Sequence, residues 1–194
     1  MIFPWIASIL ISAIVAVVYR LYRHESRSYA TGKSEKIEAL PGLRVLYKPL
    51  MLSIMALALL GLHLRSRWLL ALAVPIGLRW LGLAMGVAGA TILVWARRSL
   101  GVQYSPCFDS WAATSLVATG PYRIVRHPMY LSNLVMIAGF TLASGSAWIA
   151  IFFLVFLVYF SASAYYEERR LQMTLAGYTE YMKGTGRILP RLLW

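Results

Sequence analysis

Two short clusters hold most of the chemistry available to this sequence of 194 residues. One is Arg126-His127-Pro128 within "GPYRIVRHPMY" (120–130), and the other is Glu167-Glu168 within "YYEERRL" (165–171). Pro128 suits the first turn of a helix, where its missing N–H costs nothing, and Gly120-Pro121 forces a turn just before it. Backbone N–H groups, a histidine and the two arginines Arg123 and Arg126 are then expected to converge on a helix N-terminus, which favours an anion. The glutamates close an apolar helix at its C-terminal end, where the helix dipole opposes carboxylates. Either both are exposed or paired with Arg169 and Arg170, or at least one faces inward at a membrane rim to hold a cationic or hydroxylated group. An anion receptor opposite a carboxylate fits a zwitterionic ligand.

Little else in the chain competes for this role. The lone cysteine, Cys107, excludes an internal disulfide and a multi-cysteine metal site. His24, His63 and His127 fall in separate segments with no metal-ligand spacing, so no metal is expected. No nucleophile elbow or phosphate-cradling glycine loop is present.

The elements that must position these residues are membrane helices. The chain is 60% hydrophobic and 13% charged, with a net charge of +12, a composition far from that of soluble domains. About 20 apolar residues cross a bilayer as a helix. Residues 2–19, 49–64 and 80–96 are read as three spans. The 39 residues from Pro128 to Tyr166 carry no charge; this is too long for one crossing, and "SGS" at 144–146 divides it into a helical hairpin. The expected fold class is therefore all-α, a single polytopic membrane domain of about five transmembrane helices. "WLLALAVPIGL", Trp68 to Leu78, is short and interrupted by Pro75 and Gly77, so it is read as interfacial or re-entrant. Gly82, Gly86 and Ala90 recur every four residues, as close helix packing requires.

Charge orients the spans. The first lacks a basic start and has Arg20 and Arg23 behind it, which argues against a cleavable signal peptide and places the N-terminus outside. Five alternating spans put 16 of the 19 Lys and Arg residues on one side, and only Arg65, Arg67 and Arg79 on the other. The 97–127 connection and the C-terminal tail thus share the cytoplasmic face, where one site can be built from both. Basic residues facing anionic inner-leaflet lipid account for the net charge without nucleic acid.

At this point the sequence resembles a known family. "GPYRIVRHPMY", followed some forty residues later by "EERRL", then "GYTEY" and "RILPRLLW", is similar to the isoprenylcysteine carboxyl methyltransferases and their phospholipid methyltransferase relatives. The resemblance covers roughly residues 100–194, where it marks a methyltransferase-like half; residues 1–99 supply three spans. It implies S-adenosylmethionine as cofactor, a zwitterion at its methionine end that also carries a sulfonium. By position it implies cofactor contacts for Thr114, Ser115, Leu116 and Val117, for Tyr122, for His127, Pro128, Met129 and Tyr130, for Glu167, and more loosely for Gln103. His127 and nearby N–H groups would hold the methionine carboxylate, Glu167 the ammonium or ribose, and Tyr122 and Tyr130 would wall the adenosine or sulfonium. Two positions depart from the family pattern. Leu131-Ser132-Asn133 lacks the glycine often found there, and Ser163 stands where the eukaryotic enzymes carry a substrate arginine.

The implied reaction is methyl transfer at the membrane interface to a lipophilic acceptor delivered by the bilayer. A prenylated cysteine carboxylate leads as acceptor, and a phospholipid or small amine is the alternative. A carboxylate acceptor needs a cation, for which Arg123 and Arg170 are the candidates. Two other classes stand beside this one. An NADPH-dependent membrane reductase would call for more arginines around the cofactor's phosphate. A transporter or lipid-binding scaffold would show no cofactor affinity and no dependence on Glu167.

Overall fold

The computed structural model describes residues 2–25, 36–37, 53–60, 72–101, 110–111 and 115–191. Among them the chain is helical: α1 Phe3–Glu25, α2 over residues 53–60, α3 Ile76–Leu100, a 3₁₀ turn Gly120–Arg123, α4 Pro128–Ser144, α5 Ala147–Thr174 and α6 Tyr178–Gly184. A two-residue antiparallel pairing joins β1, Lys36–Ile37, to β2, Ser110–Trp111. It ties together the two connections that charge places on one side.

Among the described residues three helices are long and apolar enough to cross a membrane: α1 within Phe3–Arg20, then α3 and α5. The shorter apolar α4 spans 17 residues. The expected all-helical membrane architecture is therefore present, while five crossings is more than length and composition establish. The second expected span is helical at 53–60, and its remaining residues lie outside the described segments, as do residues 68–71, Gln103, Cys107 and Thr114. The expected interfacial piece is corrected in part. Ile76, Gly77 and Leu78 form the first turn of α3, with Pro75 as its N-cap in an extended conformation. Proline is tolerated at a helix start, so it begins the span instead of separating a fragment from it.

The break at 144–146 falls where expected. Gly145 caps α4 in the left-handed region at φ 69°, donating its N–H to Thr141 O, a conformation that glycine adopts without a Cβ penalty. Ser146 then caps α5. Leu72 N–H donates to Gly145 O, and Arg79 Nε to Val74 O. The start of α3 and the α4–α5 turn therefore occupy the same end of the bundle.

The core is the contact of α3 with α4. A Cβ on Gly82 would lie 2.6 Å from Ala143 N and Gly139 O, and one on Gly89 would lie 2.6 Å from Met136 Cγ. Nothing larger than glycine fits, because the two backbones touch; helices in lipid gain by such close approach. The small-residue stripe is Gly82, Gly86 and Gly89, since Ala90 is only partly buried. α4 is buried on nearly every side, as expected of a helix apolar all round. It separates α3 from α5.

Candidate functional site

The end of the bundle opposite Gly145 gathers both chemical clusters. The chain leaves the 3₁₀ turn and runs extended into α4. There Arg126 N–H donates to Gly186 O, His127 N–H to Arg187 O, and Gly186 N–H to Ile124 O. This short parallel bridge seats the C-terminal segment against the start of α4. Gly186 is confined to glycine by the next turn, because a Cβ there would fall 1.9 Å from Leu189 O. From α6, the Tyr181 hydroxyl donates to Tyr122 O. Burial pushes the Tyr181 phenol up to about 12, so it remains a donor at neutral pH.

Glu168 is the centre of the charge network. It is 2% exposed. Its Oε1 accepts from Arg126 Nε at 2.7 Å, and its Oε2 from Arg187 Nε at 2.8 Å. Arg126 spends its remaining reach on Met182 O and Thr185 O. The anion receptor expected at the start of α4 therefore lacks Arg126, whose charge is matched by Glu168 and whose Nε and Nη1 donors are taken. Nor do Arg169 and Arg170 neutralise the glutamates. Arg169 lies 5.2 Å over the Tyr165 ring, with Arg187 5.9 Å from the same ring. The sequence assigns Arg187 no role, and it offers Glu168 only as one of an acidic pair that is exposed, paired with Arg169 and Arg170, or turned inward. Their type was visible, but their pairing rests on folding the tail back.

Glu167 is held differently. Its side chain is 35% exposed. Oε2 accepts from the Tyr130 hydroxyl at 2.9 Å and lies 3.6 Å from His127 Nδ1. No other hydrogen bond reaches this carboxylate among the described residues, which leaves Oε1 open. His127 is buried, and its ring stacks on Tyr130 at 5.2 Å, which in turn stacks on Phe160 at 4.8 Å. His127 Nε2 lies 3.3 Å from Glu168 Oε1, within ion-pair distance though off the best hydrogen-bonding alignment. Against the burial that opposes its charge, this contact and Arg126 hold the Glu168 carboxyl below the usual range. The ring thus divides its nitrogens between the two glutamates, Nδ1 towards Glu167 and Nε2 towards Glu168.

The other expected positions divide into two groups. Tyr122, His127, Pro128, Met129 and Tyr130 are buried at this end of the bundle. Leu116 and Val117 are half-buried, with Val117 packed on the core, and Ser115 is exposed. Arg123 and Arg170 are both exposed, and no ion pair joins either to Glu167 or Glu168.

The phospholipid methyltransferase family model matches residues 78–177, from the first turns of α3 through the acidic pair. The match begins earlier than the expected start at residue 100 and includes the α3–α4 contact. The chain is 29% identical over 143 residues to the nickel-cobalt-cadmium resistance protein NccN of Alcaligenes xylosoxydans xylosoxydans, covering 72% of this chain and 61% of that protein. It is 31% identical over 102 residues to the cobalt-zinc-cadmium resistance protein CzcN of Cupriavidus metallidurans, covering 48% and 47%. The chain thus spans about half to three-fifths of the length of these relatives. Among the described residues no group of His, Cys, Asp and Glu is arranged to hold a metal. With more than half its length matched, including the helices that build the site, the chain belongs to the phospholipid methyltransferase family, within the isoprenylcysteine carboxyl methyltransferase superfamily.

Proposed function

We propose that the protein is an S-adenosylmethionine-dependent methyltransferase that modifies a lipophilic acceptor where the membrane meets the cytoplasm. The observation that carries this reading is the part-exposed Glu167 carboxylate, pinned through Oε2 by Tyr130, 3.6 Å from Nδ1 of buried His127, with Oε1 open among the described residues. These residues suit the cofactor. An open carboxylate oxygen matches an ammonium or ribose hydroxyl, and the Tyr130 ring offers a π face to a cationic sulfur. When bound, the cofactor supplies an electrophilic methyl group.

The chain's own residues then bind and align. Tyr130 holds Glu167 in one rotamer through its hydroxyl, and the Tyr130–Phe160 stack excludes water beneath it. Glu168, saturated by Arg126 and Arg187, fixes the segment that carries His127. Such alignment contributes up to about 7–11 kcal/mol to a transfer reaction. A carboxylate acceptor is ionised at neutral pH and needs no general base. Arg123 and Arg170, exposed and without an acidic partner among the described residues, are the cations that would orient it, as for a prenylated cysteine. The second reading, an amine of a phospholipid headgroup, is favoured by the family matched.

The test is calorimetric titration of detergent-purified protein with S-adenosylhomocysteine, followed by product analysis. Glu167→Gln and His127→Ala should each weaken binding about tenfold to a hundredfold, the effect of one charge-assisted contact. Unchanged affinity in both folded variants would remove the cofactor site from this position. A base-labile product from a short prenylcysteine analogue identifies an ester; a base-stable product from an ethanolamine lipid identifies the amine branch.

A further inference from the structure

α1 and α3 leave a groove of about 440 Å³ between them. Its walls are Leu10, Ala13, Ile14 and Val17 on α1, and the one face of α3 that carries Val87, Thr91, Val94 and Arg98. The two helices run parallel. Phe3 meets Trp80 edge-on at 4.9 Å at one end, and Val17 and Arg98 border the groove towards the other. Both lie within segments apolar and long enough to cross a membrane.

Three features together describe an occupant. The groove is apolar along its length, since the Thr91 hydroxyl is turned back onto Val87 O. From Val87 to Arg98 it rises about 16 Å at 1.5 Å per residue, close to half of a ~30 Å hydrocarbon core. It therefore has the depth of one leaflet. At its polar mouth stand exposed Arg98 and Trp95, and exposed Arg20 follows Val17 by less than one turn on α1. Neither arginine has an acidic partner among the described residues. Basic pockets between spans bind the headgroups of anionic lipids, and interfacial tryptophan marks the same depth.

We propose that this groove is a binding site for one anionic phospholipid, with its phosphate between Arg20 and Arg98 and one acyl chain lying along α1 and α3. The groove shares no residue with the proposed methyl-transfer centre: its lining lies on α1 and α3, whereas His127 and Tyr130 stand at the start of α4 and Glu167 on α5. It holds α1 against the catalytic half of the chain, a contact otherwise made by few side chains.

The experiment is native mass spectrometry of the full chain in detergent, mixed with equal amounts of phosphatidylglycerol and phosphatidylcholine bearing the same acyl chains. The wild type should retain one phosphatidylglycerol with a preference of about tenfold or more, the effect of two basic residues. Arg20→Ala with Arg98→Ala should bring the ratio near one. Arg20→Lys with Arg98→Lys should keep the preference, which separates lost charge from lost fold. Thr91→Trp, which fills the groove without touching the charges, should reduce retention of both lipids. Inorganic phosphate and glycerol phosphate at the lipid's concentration should displace nothing; displacement by either would assign the site to a soluble phosphate and overturn the lipid. Equal retention of the two lipids by the wild type, or an undiminished preference in the alanine pair, would also overturn it.

Discussion

Replacing Glu168 by glutamine should unfold the protein more readily while leaving its cofactor chemistry formally intact, and the structure sets the size of the effect. Two guanidiniums lean on this carboxylate. Arg126 is buried, its side chain 8% exposed, whereas Arg187 is 45% exposed. The Arg187 half is screened by solvent and contributes on the order of 1 kcal/mol or less. The Arg126 half is not. Glutamine keeps one acceptor oxygen for it but removes the negative charge, and its amide turns a donor towards a donor on Arg187. A buried charge left without its partner costs about 3–5 kcal/mol. At about 2–4 °C per kcal/mol for a chain of this size, the melting temperature in detergent should fall by roughly 10 °C. Glu167→Gln removes a carboxylate that is already part-solvated, so it should shift melting by no more than about 2–4 °C yet weaken S-adenosylhomocysteine binding. Fluorescence-monitored melting and titration on the same preparations separate the two effects. A Glu168→Gln protein as stable as wild type, or a Glu167→Gln protein destabilised as much as Glu168→Gln, would refute the division of labour between adjacent glutamates.

Tyr130→Phe keeps the ring stack on Phe160 and His127 but removes the hydroxyl that pins Glu167. Cofactor affinity should drop about threefold to tenfold, measured by calorimetry, with melting almost unchanged, since a net hydrogen bond is worth about 1 kcal/mol. Gly82→Ala drives a methyl group into the α4 backbone and should destabilise the bundle by about 1–3 kcal/mol, read as reduced melting temperature. Reporter fusions should place residues 172–191 and the 120–126 turn on the cytoplasmic side, and residue 145 opposite. Opposite sides for the first two would separate the halves of the site.

The residues that span the membrane were legible in the sequence because hydropathy is a local property. The uncharged run after His127, its division at Gly145 and the role of Pro128 at a helix start follow from side-chain type and backbone geometry alone. The pairing of the RHPMY and acidic clusters was likewise legible, through topology and family resemblance. Other features depend on which surfaces meet. Pro75 could interrupt an apolar fragment or begin a span, and only the hydrogen bond from Leu72 to the α4–α5 turn, with the packing of α3 on α4, decides for the start of a span. The two glutamates are chemically identical neighbours, and adjacent helix positions differ by about 100° in facing. That rotation turns Glu168 towards Arg126, 42 residues earlier, and Arg187, 19 residues later, while Glu167 keeps a free edge. Sequence spacing contains no sign of that difference. It arises because the tail folds back and pairs with the segment entering α4, so that one carboxylate is buried among cationic partners while its neighbour stays part-exposed.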